Sequence, residues 1–196
     1  EFDLIRRFFT PDEPGPGVVR GPGDDAAVVQ PTPGRQLVIT TDTLVEHRHF
    51  PADLPPDDIA WRSLAANLSD LAAMGAEPRW CLLALTLPEA DEAWLANFSD
   101  GFFQLAHQVG IELIGGDLNR GPLSVTVQAL GEVDPDRALY RGGARAGDRI
   151  AVGGVPGEAA AGLRLWQDGE RDGPLVERFR RPRPQLALGA SLCGLA

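Results

Sequence analysis

The chain has 196 residues, with 28 acidic against 18 basic side chains and a formal net charge of -10 at pH 7. Every basic residue is arginine, which excludes the lysine of a phosphate-binding P-loop, the ATP-anchoring lysine of a protein kinase, and Schiff-base chemistry on lysine. With 43% hydrophobic and 23% charged residues the composition is that of a folded, soluble chain. The acidic balance argues against nucleic acid or an anionic membrane as partner, since no basic stripe is present to neutralise phosphates.

Leu4, Ile5, Phe8 and Phe9 recur at helical spacing and predict a short amphipathic helix before Thr10-Pro11. A Pro- and Gly-rich loop from Pro14 to Gly23 then delivers the chain into Asp24-Asp25 and a strand over Ala26 to Val29. Leu37 to Thr41 predicts a second strand, ending at Asp42. Pro55-Pro56-Asp57-Asp58 is a helix start with carboxylates at the capping positions, and Trp61, Leu64, Leu68 and Leu71 continue it until Gly75 and Pro78. Trp80 to Leu87 is almost wholly apolar, as expected of a strand buried on both faces. Its seven-residue apolar run from Cys81 is far too short to cross a bilayer.

Trp94, Phe98, Phe102, Leu105 and Val109 form one helical face ending at Gly110, with Ser99-Asp100-Gly101 as a solvated turn of that helix. Ile111 to Ile114 predicts a strand running into Gly115-Gly116-Asp117, and Leu123 to Ala129 alternates as a half-exposed strand does. After a glycine-rich connection, Arg149 to Val152 reads as strand and Glu158 to Trp166 as helix. A domain boundary is expected there, with residues 1–142 as a first domain and 143–196 as an incomplete second one.

Three segments share one design, an apolar strand and small residues followed by aspartate: Gly23-Asp24-Asp25, Thr40-Thr41-Asp42 and Gly115-Gly116-Asp117. Such pairs also make simple turns. If adjacent strands bring them together, however, like charges at close range require a cation, and an all-oxygen set suits Mg2+. Asn67 and Asp70, poor helix formers in mid-helix, lie off the leucine ladder and offer a further carboxylate. His47 and His49 form an H-x-H pair, either an exposed polar pair or half of a zinc site. His107 reads as structural. Cys81 and Cys193 lie far apart without metal-ligand spacing, as in a reducing compartment, and nothing at the N-terminus resembles a leader; the cytoplasm is the expected location.

The set as a whole resembles the thiamine-monophosphate kinase family, within the superfamily of aminoimidazole-ribonucleotide synthetase. The resemblance is carried by Gly23-Asp-Asp-Ala-Ala-Val, Thr41-Asp-Thr-Leu-Val-Glu with His49-Phe50, and Asn67-Leu-Ser-Asp70-Leu-Ala-Ala-Met-Gly-Ala. Gly115-Gly-Asp with Arg120-Gly-Pro-Leu, and Arg141 with Gly143-Ala and Gly147-Asp, complete it. It implies an α/β (α+β) fold: an N-terminal mixed sheet with helices on one face, dimerising into a barrel-like sheet, plus a partial C-terminal α/β domain. The implied activity is direct in-line transfer from ATP to thiamine phosphate with Mg2+.

Carried over by motif, Asp25, Thr40, Thr41, Asp42, Asp70 and Asp117 would hold Mg2+. Gly116, Asp117 and Arg141 would meet ATP, and His49 would contact thiamine phosphate, which displaces zinc at the histidine pair. The family's usual Gly-Val or Gly-Asn before His-Phe is His47-Arg48 here, and the expected Thr-Thr after Gly-Gly-Asp is Leu118-Asn119. The family's later Ser-Asp-Gly motif does not follow within these residues, and Ser99-Asp-Gly stands in the wrong place to replace it. Other readings are a different ATP-dependent enzyme of the superfamily, or a noncatalytic dimerising module that binds Mg-ATP.

Overall fold

Val125, Val127 and Ala129 alternate with polar residues, and a strand of that pattern has one apolar face to cover. The computed structural model describes residues 2–11 and 13–193, and in it those three side chains are fully buried beneath helices. The sheet has four strands in the order β3-β6-β4-β5: β3 (Gln36–Val45), β4 (Glu77–Leu87), β5 (Glu112–Arg120) and β6 (Ser124–Val133). β6 pairs antiparallel with β3 and β4, whereas β4 and β5 are parallel. A parallel pair needs a crossover, and α3 (Glu92–Val109) supplies it. Two short strands, β1 (Val18–Arg20) and β2 (Val28–Val29), pair separately.

α2 (Pro56–Ala73) and α3 lie on one face, and Leu64, Leu68, Leu71, Phe98 and Phe102 bury completely. Each such side chain stabilises by roughly 1.5–3 kcal/mol relative to exposure. Trp94, Phe98 and Phe102 stack along α3 with centroids 5.1 and 6.5 Å apart. Asp91 caps α3 by accepting from the Ala93 and Trp94 N–H groups, and Gly110 ends it in the left-handed region. α1 (Phe2–Phe9) packs on α3, where Phe9 meets Phe98 edge-on.

Several expectations need correction. Asp42 and Asp117 do not end their strands; β3 and β5 run three residues past each because both keep a ladder partner there. The expected strand over Ala26 to Val29 is only Val28–Val29. β4 is covered on both faces only at its start: on the side away from the helices Trp80 is fully buried, its Nε1–H donating to the Pro16 carbonyl at 3.2 Å, whereas Ala84 on the same side is exposed. Asp57 and Asp58 do not cap α2: Pro55 occupies the N-cap with no side-chain bond. Asp58 is instead fully buried between Arg180 Nε at 2.5 Å and Arg181 Nε at 2.7 Å. Ser99 and Gly101 are buried rather than solvated, because α3 crosses α2 so closely there that a Cβ on Gly101 would overlap the Asp57 backbone. His107, read from the sequence as structural, is exposed and stacks on Phe103 at 5.8 Å.

Beyond a 3-10 turn at Arg141–Gly143 come α4 (Glu158–Gln167), α5 (Pro174–Arg180) and α6 (Leu186–Leu192). Trp166, Val176 and Phe179 from α4 and α5 join the same buried cluster as α2. Arg149 to Val152 is not a strand: it has no pairing partner among the described residues, and Ile150 is 95% exposed. No helix of the described residues is long and apolar enough to cross a membrane.

Candidate active site

Strand periodicity divides the Thr40-Thr41-Asp42 triplet between two faces. Thr40 and Asp42 lie opposite Ala129 and Val127, whose side chains are buried under the helices, so both project toward α2. There Thr40 Oγ1 donates to Asp70 Oδ2 at 2.7 Å. Thr41 lies opposite Gln128 on the outer face, and its hydroxyl donates to the Val127 carbonyl at 3.2 Å. One turn before Asp70, Asn67 is fully buried; its amide nitrogen donates to Ser63 O at 3.1 Å while its Oδ1 has no partner among the described residues.

The second group lies on the opposite edge of the sheet. Gly116 pairs with Leu83, with φ of 154°, and a Cβ there would overlap the Leu83 carbonyl, so only glycine fits the register. Asp117 pairs with Ala84 and so shares the outer face. Asn119 Nδ2 donates to Asp117 Oδ2, while Leu118 packs against the core. Gly116, Asp117 and Leu118 border a cleft of about 1200 Å³ that α1 and the loop around Asp24 and Asp25 complete. Asp24 is engaged by Arg20 Nε at 3.1 Å and by the Asp25 N–H at 2.9 Å. The Asp25 carboxylate makes no ion pair among the described residues.

The carboxylates expected to converge therefore fall into two separate groups. Asp42 and Asp70 flank the β3 edge on the helix side, whereas Asp25 and Asp117 border the β5 cleft. Three strand spacings, about 14 Å, separate β3 from β5. Among the described residues no three His, Cys, Asp or Glu side chains are grouped to hold a metal. The donors at the β3 edge are nonetheless all oxygen, with the unpartnered Asn67 oxygen one helical turn away, and that chemistry fits Mg2+, which keeps several waters and phosphate oxygens in its shell.

His49 lies in the turn after β3, about 10 Å along the strand from Asp42. The Val45 N–H donates to its Nδ1 at 2.9 Å, so the ring hydrogen is carried by Nε2 and is free to donate outward. His47 in the same turn has a φ of 63°, the left-handed region that favours glycine. Arg141 is exposed and makes no ion pair among the described residues. The chain just before it is fixed, since the Leu139 N–H donates to Met74 O at the end of the helix that carries Asp70. Burial pushes the Cys81 thiol far above its ordinary value, which leaves it inert.

Residues 23–133 match the family described as AIR synthase related protein, N-terminal domain. The sequence is 47% identical to thiamine-monophosphate kinase of Escherichia coli (strain K12), over 100% of this chain and 62% of that protein. The fold is similar to the crystal structure of thiamine-monophosphate kinase from Stenotrophomonas maltophilia K279a, with a TM-score of 0.84 and 48% identity over 97% of this chain and 62% of that one. It is also similar to AaThiL complexed with AMPPCP and TMP, with a TM-score of 0.77 and 28% identity over 98% of this chain and 61% of that one. The chain thus spans about three fifths of the length of these relatives.

Proposed function

We propose, for a chain that belongs to the AIR synthase related family, that the protein transfers the γ-phosphoryl group of ATP to thiamine phosphate, giving thiamine diphosphate and ADP. The observation that carries this reading is the oxygen-donor set of Thr40, Asp42 and Asp70 at one sheet edge, in a chain 47% identical to a thiamine-monophosphate kinase. A relative of the same fold that holds AMPPCP and TMP together supports the same pair of substrates.

An oxygen of the acceptor phosphate attacks the γ-phosphorus, the bond to the β–γ bridging oxygen breaks, and ADP leaves. The attacking oxygen is already ionised near neutral pH, because the second phosphate pKa is about 6. No side chain is then needed as a base, and the work is positioning and charge neutralisation. Thr40, Asp42 and Asp70 are the proposed Mg2+ ligands, joined by Asp25 and Asp117 from the cleft side; Thr41 faces away and would contribute through its backbone. Bound Mg2+ would offset the charge that gathers as the phosphates meet. Gly116 leaves backbone open to a phosphate, Arg141 supplies the cationic contact in a lysine-free chain, and His49 Nε2–H donates to thiamine phosphate.

The two groups on opposite edges favour a dimer. Leu37 and Ile39, on the outer face of the β3 edge, are 42% and 58% exposed. Pairing of that face with a second copy would close a barrel-like sheet and set the β3 edge of one copy beside the β5 edge of the other. Asp42 and Asp70 would then meet Asp117 across the interface. We further assign residues 1–142 to the nucleotide and metal domain and 143–196 to a second one. The test is formation of thiamine diphosphate from ATP and thiamine phosphate with and without Mg2+; product without added Mg2+ in the presence of chelator contradicts the reading.

A further inference from the structure

The turn that carries His49 is tied to the C-terminal helices at one point. Four residues after His49, both carboxylate oxygens of Asp53 are engaged: Trp166 Nε1–H donates to Oδ1 at 3.0 Å and Arg171 Nη2 to Oδ2 at 2.9 Å. Trp166 is 4% exposed, with the Arg171 guanidinium 4.2 Å from its ring centroid and the Phe179 ring at 6.1 Å. Arg171 Nη1 also donates to the Trp166 carbonyl at 2.8 Å, which fixes the guanidinium in place. An indole N–H buried this deeply requires an acceptor, and Asp53 provides it.

The turn needs such a hold. His47 stands in the left-handed region without being glycine, so the turn is strained. Its own bonds are local: His47 N–H to Phe50 O, His49 N–H to Val45 O and Val45 N–H to His49 Nδ1, each 2.9 Å, and Arg48 N–H to Val45 O at 3.2 Å. Phe50 and Leu54 anchor it from below, each 3% exposed. The Asp53 links join it to Trp166 of α4 and to Arg171, between α4 and α5.

We infer that Asp53 and Trp166 are positioning residues for the acceptor substrate: the α4–α5 hairpin holds the His49 turn through the Asp53 carboxylate, so that His49 Nε2–H is presented at a fixed place. This rests on the reading of His49 as the residue that meets thiamine phosphate. Trp166→Phe deletes the indole donor and leaves a buried aromatic ring, and Asp53→Ala removes both links.

Calorimetry with thiamine phosphate, and separately with Mg-ATP, on wild type, Trp166→Phe, His49→Ala and the double variant tests the substrate role. Trp166→Phe weakens thiamine phosphate roughly three- to tenfold, the worth of one hydrogen bond, with Mg-ATP changed by less than about twofold. The same change has no added effect in the His49→Ala background. Hydrogen exchange at the Val45 amide, read without ligand, is faster in both Trp166→Phe and Asp53→Ala. Equal weakening of both ligands, additivity with His49→Ala, or unchanged Val45 exchange overturns the inference. A wild-type protein that binds no thiamine phosphate overturns the kinase reading and the substrate role with it, while the exchange comparison still decides whether Trp166 holds the turn.

Discussion

Thr40 donates its hydroxyl hydrogen to Asp70 Oδ2 at 2.7 Å, joining the middle of β3 to the last turns of α2. Asp70 Oδ1 has no hydrogen-bond partner among the described residues, and a hydroxyl beside a carboxylate is the mix of neutral and charged oxygen donors that suits a hard cation. Thr40→Val keeps the shape and removes the donor. Urea denaturation is expected to show a loss of only about 0.5–1.5 kcal/mol, whereas the Mg2+ concentration for half-maximal activity rises on the order of tenfold or more. An unchanged Mg2+ requirement would exclude Thr40 from the metal site.

His47→Gly should stabilise the protein. The residue has a φ of 63°, and its contact with Glu46 is a 3.7 Å pair at the surface, which contributes little. Relief of left-handed strain outweighs the added freedom of glycine in the unfolded chain by about 0.5–1 kcal/mol. A urea midpoint that rises with an unchanged slope is the expected result. A fall would mean that the imidazole makes a contact worth more than the strain.

Acid stability should depend on Glu132, which is fully buried on β6. Burial alone would raise its pKa, but bonds from the Thr32 hydroxyl and N–H at 2.7 Å each, with Arg79 and Arg35 nearby, hold it below the ordinary value of 4.5. A depressed folded pKa stabilises above the unfolded value and loses that contribution as pH falls from 4.5 through the folded pKa. Thermal melts of Glu132→Gln should therefore be lower than wild type at neutral pH and converge with it as the pH is lowered below 4. Parallel curves would show that the carboxylate charge is not what Thr32 and the arginines hold.

Much of this architecture is legible in the sequence because it rests on periodicity. The leucine ladder of α2, the aromatic face of α3 ending at Gly110, and the alternation of β6 all recur in the fold. Ladder partners carry β3 and β5 on through aspartates that read as strand ends. The division of Thr40 and Asp42 from Thr41 follows from period two, but the separation of Asp42 from Asp117 depends on strand order, which no local pattern encodes. Asp53 and Trp166 carry no motif signal. The Asp58 contacts had one available, an arginine-rich run from Arg178 to Arg183 to complement Asp57-Asp58, yet helix-start propensity suggested capping instead. The Arg149–Val152 strand fails for a simpler reason, since a strand pattern needs a neighbour to pair with.

Dimerisation is open to a direct test at the outer face. Ile39→Arg places a charge where a second copy is proposed to pack and leaves the helix-side core untouched. Sedimentation equilibrium should show a dimer for wild type and a monomer for the variant, with circular dichroism unchanged. A wild-type monomer under assay conditions would leave Asp42 and Asp117 on separate edges and contradict the shared site.

The Asp42 and Asp70 edge is the proposed seat of the metal used in phosphoryl transfer. The most direct measurement is thiamine diphosphate formation from ATP and thiamine phosphate by wild type and Asp42→Asn, across a Mg2+ titration and with melting temperatures recorded in parallel. Asp42 is exposed, so the variant should melt close to wild type while its turnover falls on the order of 100-fold. Turnover equal to wild type at every Mg2+ concentration would contradict the account.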